Sequence, residues 1–218
     1  PGGGRGIGEP IARELPGGGA KVAVTDVDAD TAEAVAQSLD PSCETAMAFA
    51  LDVRHKAAFE ASRDRLVQRW GGVDIVVNNA GYAKRTPTAD ITPEEFDEIV
   101  AINMRSVFLS CQVYAPHMTA PGYGRIVNIT SLGGQNGGTV ASAHYAAAEA
   151  GAIMLSKYFA PQLAGPGATP HPIPPRAVPD GHGRARGLGH RHHPAPGARG
   201  RRAGVLRLLP ALPAPPLS

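Results

Sequence analysis

The sequence predicts an α/β fold, a doubly wound parallel sheet, on three observations. Short apolar runs alternate with helical patterns over residues 1–164, a glycine cluster opens the first helical pattern, and the strand after it ends in a carboxylate. Strands separated by whole helices cannot be hairpins, so they pair in parallel through right-handed crossovers. With 218 residues, 43% of them hydrophobic, the chain has one domain's worth of core.

Taken in order, Gly2-Gly3-Gly4-Arg5-Gly6-Ile7-Gly8 runs straight into a helical pattern that contains Pro10 and ends at Pro16. An interior proline costs about 3 kcal/mol, but Pro10 lies only about one turn in, where it is tolerated. Lys21–Thr25 is an apolar strand closed by Asp26, with Asp28 and Asp30 in the turn and next helix cap. Ala46–Leu51, Asp74–Asn78 and Arg125–Thr130 are further runs suited to strands buried on both faces. Phe59, Ser62, Leu66 and Trp70 make one helical stripe. Thr92-Pro93-Glu94-Glu95 is a capping box with proline at the first helical position. It opens a long helix, 93–117, carrying Phe96, Ile99, Val100, Asn103, Val107 and Phe108.

Beyond Gly165 the periodicity ends. Residues 165–218 hold twelve prolines, nine glycines, eight arginines and five histidines, with no Phe, Tyr or Trp. Such a composition buries no core and predicts an irregular tail. It is also the composition that out-of-frame GC-rich DNA encodes. The domain boundary is therefore placed between 1–164 and 165–218. Eight arginines against one acid, Asp180, give the tail +7, so 1–164 carries −5 of the net +2. The tail lacks aromatic residues to stack bases and lacks helical periodicity, which argues against a nucleic-acid partner. No apolar run approaches the ~20 residues of a membrane span; the nearest, Val205 to Leu217, is broken by Arg207 and four prolines. Cys43 and Cys111 lack metal-ligand spacing and read as reduced thiols packed as small hydrophobes. No metal site is expected. With no charged-then-apolar leader, the expected location is cytoplasmic, and Pro1 in place of Met reads as a fragment or trimmed product.

The glycine-rich opening has a chemical meaning. Glycines at 2, 6 and 8 permit a tight turn and let a pyrophosphate approach the backbone where a helix begins. Asp26, 18 residues past Gly8, can accept hydrogen bonds from an adenosine ribose and would repel a 2′-phosphate. Arg5, a cation near the phosphates, pulls towards NADP. Asp26 would stand closer to the discriminating hydroxyl, so NAD is favoured over NADP.

A second constellation lies further on. Ser131 precedes Tyr145 by 14 residues, and Glu149 stands one helical turn beyond the tyrosine. A serine hydroxyl, a tyrosine hydroxyl and a charged group one turn on suit proton transfer to a carbonyl or from an alcohol. A free phenol titrates near 10, and a neighbouring cation would lower that value. Here the group is an anion, which acts in the opposite sense. Lys157, two turns further along, is a poor substitute.

These motifs together resemble the short-chain dehydrogenase/reductase family, over roughly 1–164 and fading through about 178. The resemblance rests on G-G-G-R-G-I-G (2–8), the strand-end Asp26, Asp52-Val53, N-N-A-G (78–81), and the set Asn103, Ser131, Tyr145. It implies a Rossmann-like sheet, here with the first strand missing and the C-terminal part irregular. It also implies that Gly2, Arg5, Gly6, Ile7, Gly8 and Asp26 hold the dinucleotide, with Asp52 and Val53 at the adenine and Asn79, Ala80 and Gly81 closing the fourth strand. Val178 falls in a stretch, 168–178, that can be laid over the family's next strand, although Pro170, Pro172 and Pro174 would strip its ladder donors. Tyr145 becomes the general acid or base, Ser131 holds the substrate oxygen, and Asn103 anchors a water in the proton relay. Glu149 occupies the position of the family's lysine. The family acts on small molecules and pairs through the long helix and the helix bearing Tyr145, so a homo-dimer or homo-tetramer is expected. Two readings follow: an NAD(P)-dependent oxidoreductase of secondary alcohols and ketones (3-oxoacyl thioester, sugar or polyol), or a non-catalytic relative that at most binds dinucleotide.

Overall fold

The computed structural model describes residues 1–119, 124–137 and 142–163. The irregular tail (165–218), the 168–178 stretch with Val178, and Val205–Leu217 all lie outside the described residues. Among the described residues there are four strands: β1 (Val22–Asp26), β2 (Ala46–Ala50), β3 (Ile75–Asn78) and β4 (Arg125–Asn128). Around them lie α1 (Gly8–Glu14), α2 (Ala29–Leu39), α3 (Lys56–Trp70), α4 (Pro93–Val100), α5 (Ser106–Thr119), α6 (Gly133–Asn136) and α7 (Ala143–Leu163). Every strand pair is parallel, as the alternation of strand and helix requires.

The strands form two two-stranded sheets instead of one continuous sheet. β1 pairs with β2 from Val22↔Ala46 to Asp26↔Ala50, and β3 with β4 from Ile75↔Arg125 to Asn78↔Asn128. Between the C-terminal ends of β1 and β3 lie Gly2 and Gly3. The Gly3 N–H donates to the Thr25 carbonyl at 2.9 Å, while a Cβ on Gly2 would come within 2.9 Å of the Ala80 backbone. Among the described residues no strand joins β1 to β3.

Local sequence explains most element ends. Asp28 caps α2 by accepting from the Asp30 and Thr31 N–H groups. Thr92 caps α4 by accepting from the Glu95 N–H, with Pro93 at the first helical position. Pro10 sits in the first turn of α1, and the helix gives way at Leu15 to a tighter turn containing Pro16. The helix expected over 93–117 is interrupted, because Ala101–Arg105 adopts a π turn between α4 and α5. The core clusters on the sheets. Ala12, Val22, Val24, Val35 and Ala46 pack on the β1–β2 side, and Leu51, Val53, Phe59, Val76, Tyr114 and Met118 on the β3 side. Ser62 on the α3 stripe accepts a hydrogen bond from the Tyr114 hydroxyl at 2.8 Å, so that buried polar pair is satisfied.

The two cysteines differ. Cys111 is buried, and burial pushes its thiol up to about 12, as expected of a thiol packed as a hydrophobe. Cys43 departs from that expectation: it is exposed, in a left-handed turn with φ 58° that Asp40 stabilises through the Ser42, Glu44 and Thr45 N–H groups. Among the described residues no helix is long and apolar enough to cross a membrane, and no cluster of ligating side chains could hold a metal.

Candidate active site

The glycine turn is built by contacts that only glycine permits. Gly2 and Gly6 have φ of +73° and +61°, where an L side chain is strained. A Cβ on Gly8 would lie 1.9 Å from the Gly2 carbonyl oxygen. That carbonyl is held in turn by the Asn79 side-chain amide at 2.8 Å. A Cβ on Gly6 would meet nothing within 4 Å, so the backbone there faces open space. A bare backbone turn beside open space, at the C-terminal ends of parallel strands, fits the diphosphate of a dinucleotide.

Asp26 is 4% exposed and locked to this turn. Its Oδ2 accepts from the Gly4 N–H at 3.1 Å and its Oδ1 from the Asp28 N–H at 3.3 Å. Each carboxylate oxygen keeps lone-pair capacity for a ribose hydroxyl. Asp52 is forked by Arg54, with Nη2 to Oδ2 at 2.6 Å and Nε to Oδ1 at 2.9 Å. These hydrogen bonds hold its carboxyl down at about 2. Val53 is buried in the core beside it. Arg5 and Ile7 lie in the turn itself, Arg5 exposed and Ile7 half-buried.

The N-N-A-G stretch closes β3 with a polar ladder. Asn78 Nδ2 donates to Asn128 Oδ1, and Asn128 Nδ2 donates to Ser156 Oγ, both at 2.8 Å. α7 is thereby tied to both strands of the second sheet. Gly81 lies against Asn103, which is 4% exposed in the π turn. Asn103 Oδ1 accepts from the Tyr82 N–H at 2.9 Å, and its Nδ2 donates to Tyr82 O and Ile99 O at 2.8 and 2.9 Å. The side chain therefore clamps one peptide of the following loop.

Ser131 follows β4, and its Oγ accepts from the Gly133 N–H at 3.1 Å. Tyr145 is half-buried on the first turn of α7. Glu149 lies one turn further on the same face of the helix, 5% exposed. Its Oε2 accepts from the Ser131 N–H at 2.7 Å. Burial pushes the Glu149 carboxyl up to about 7, and the Ser131 N–H partly opposes that rise. Ser131 is thus held against α7 at Glu149, one helical turn from Tyr145. The close fit continues in Gly134, whose Cβ would come within 2.8 Å of the Glu149 backbone and side chain. Lys157 is exposed two turns away, and Val178 lies outside the described residues.

Residues 1–178 match the short chain dehydrogenase family. The chain belongs to that family. It is 34% identical over 176 residues to D-threitol dehydrogenase of Mycolicibacterium smegmatis, covering 79% of this chain and 66% of that one. It is 36% identical over 154 residues to sorbitol dehydrogenase of Cereibacter sphaeroides, covering 70% of this chain and 59% of that one. A metagenomic short-chain oxidoreductase crystallised with NADP superposes with a TM-score of 0.69 at 34% identity, over 74% of this chain and 73% of that chain. The chain thus spans less than two thirds of the length of these two curated relatives. The NADP-bound neighbour removes any ground in the comparisons for ranking NADP below NAD.

The chain also makes contacts at the start of α7 that the motifs did not reveal. Lys84, Glu95, Ser142 and His144 form a cluster beside Tyr145. The signals were present: His144 adjoins Tyr145, and Glu95 is the acid of the capping box.

Proposed function

We propose that the chain is an NAD(P)-dependent oxidoreductase that interconverts a secondary alcohol and a ketone, with a sugar or polyol as the favoured substrate class. The observation that supports this reading is the Ser131 backbone held by Glu149, one helical turn from Tyr145, on the same polypeptide as a glycine-only turn. The D-threitol and sorbitol dehydrogenase relatives favour polyols over thioesters. A bound dinucleotide supplies or takes a hydride. Tyr145 gives the proton to the substrate oxygen in reduction and removes it in oxidation. One of the two lone pairs of Ser131 Oγ accepts from the Gly133 N–H, and its proton would hold the substrate oxygen. Asn103 would anchor a water in the relay, while its side chain also holds Tyr82 and Ile99. Asp26 favours NAD, because its buried carboxylate would repel a 2′-phosphate.

A homo-dimer or homo-tetramer is part of the same proposal. Phe108 on α5 and Met154 and Tyr158 on α7 are 38%, 60% and 66% exposed, large apolar side chains on the two helices that would pair.

A second reading has a specific observation in its favour. Glu149 stands where a lysine would lower the Tyr145 phenol, and its carboxylate is spent on the Ser131 N–H. On that reading the chain binds dinucleotide without turning substrate over. Fluorescence titration with NADH and NADPH, followed by turnover against a panel of polyol-derived ketones, separates the two. Binding with turnover supports the oxidoreductase, and binding without turnover supports the second reading. Absence of binding contradicts both.

A further inference from the structure

Tyr145 sits in the first turn of α7, where backbone N–H groups lack intrahelical partners and the helix is prone to fray. Three side chains from other places hold that turn. Ser142 Oγ accepts from the Thr86 N–H at 2.9 Å and donates to Lys84 O at 2.6 Å, tying the start of α7 to the loop after β3. The other end of that loop is clamped by Asn103 through both polar groups of the Tyr82 backbone. A single strap, residues 82–86, therefore spans from Asn103 to the residues preceding Tyr145.

Glu95 is the point where strap and helix converge. One carboxylate oxygen meets the Lys84 ammonium, and the other lies 3.0 Å from His144 Nε2. The carboxyl is held down at about 2 by hydrogen bonds from Lys84, then Thr86 and His144. In a capping box the acid at this position turns back to the Thr92 N–H. Here it turns away, and Thr92 alone provides the cap. His144 is fully buried, and its Nδ1 has no partner. Because a carboxylate can only accept, Nε2 carries a proton towards Glu95. An unpartnered buried nitrogen is destabilising, on the order of 1–3 kcal/mol.

We infer that Glu95 is a positioning residue for Tyr145, acting through His144 and through the Lys84-bearing strap. The inference rests on the reading of Tyr145 as the proton-transfer group. Its effect is geometric: a loosened first turn would move the phenol away from the Ser131 face without touching the glycine turn. The charged and titratable side chains facing His144 and the strap are Lys84 and Glu95, with Tyr82 and Glu98 acting on Lys84 electrostatically and the Phe96 ring facing His144.

The test uses the full chain with tyrosine ring labelling, in which the Tyr145 resonance is identified by its loss in Tyr145→Phe. Glu95→Ala should move the titration midpoint of Tyr145 by about half a pH unit or more. It should lower turnover about tenfold or more, while NADH binds within about twofold of the parent. Glu95→Gln, which keeps an acceptor for His144, should stay nearer the parent. Lys84→Met, at a half-exposed position, should shift Tyr145 in the same direction by less, and it decides the matter should Glu95→Ala fail to bind NADH. A Tyr145 resonance and midpoint unchanged in both Glu95→Ala and Lys84→Met would overturn the inference. Unaltered turnover in Tyr145→Phe would instead overturn the catalytic reading, whatever the Glu95 variants do.

Discussion

Glu149 accepts a 2.7 Å hydrogen bond from the backbone of Ser131, so the residue standing in place of a lysine is a buried clip between β4 and α7. This contact gives the acid a structural task and a proton-dependent cost. Its carboxyl is raised to about 7 in the fold, against an ordinary 4.5. A raised carboxyl means that the folded chain holds the proton more tightly than the unfolded chain. Stability from this group is full below about 4.5 and is lost as pH rises to about 7.

The first prediction follows from that sign. Between pH 4.5 and 7 the chain should lose up to about 3 kcal/mol of stability from Glu149 alone. Glu149→Gln keeps an acceptor for the Ser131 N–H and cannot ionise, so it should flatten this dependence. Denaturant midpoints of both proteins at pH 5 and pH 7.5 check it; parallel slopes would contradict it.

Asp26 should control which dinucleotide binds. Asp26→Ser removes the charge that opposes a 2′-phosphate, and the ratio of NADPH to NADH affinity should rise about tenfold or more. Because the Gly4 N–H loses a buried acceptor, stability should fall by about 1–3 kcal/mol. Paired fluorescence titrations and a melting curve measure both effects.

Gly8→Ala should abolish dinucleotide binding and destabilise the first helix. The added methyl would lie 1.9 Å from the Gly2 carbonyl, a backbone atom that cannot rotate away. Equilibrium dialysis against NADH checks the binding. Retained affinity would mean that the turn is not the phosphate site.

Ser131→Ala should cost turnover without costing dinucleotide affinity. Its hydroxyl accepts from the Gly133 N–H, whereas its N–H, which holds Glu149, is unchanged. A loss of about a hundredfold or more in kcat is expected, with the NADH Kd within about twofold.

The strands were legible because a short apolar run needs no partner information, as in Asp74–Asn78, although full burial there falls on alternate residues, Val76 and Asn78. The cap at Thr92 was legible because it is local. What could not be read depended on distant residues. Glu95 looks like a cap acid until Lys84 and His144 approach from elsewhere. The π turn at 101–105 leaves no mark on the apolar spacing, so the helix reads as continuous. Glu149 was visible as a departure, but its contact with Ser131 spans 18 residues and emerges only when β4 and α7 meet. Cys43 was read as buried from its type, yet a carboxylate-capped turn places it at the surface.

Turnover of the present chain beside Glu149→Lys, with NADH and the same ketone panel, tests the electrostatic account most directly. A lysine one turn from Tyr145 should lower the phenol and raise kcat at least about 10³-fold, the scale of a general acid–base contribution. Equal rates, in two proteins that bind NADH equally well, would contradict the assignment of Tyr145 as the proton-transfer group governed by position 149.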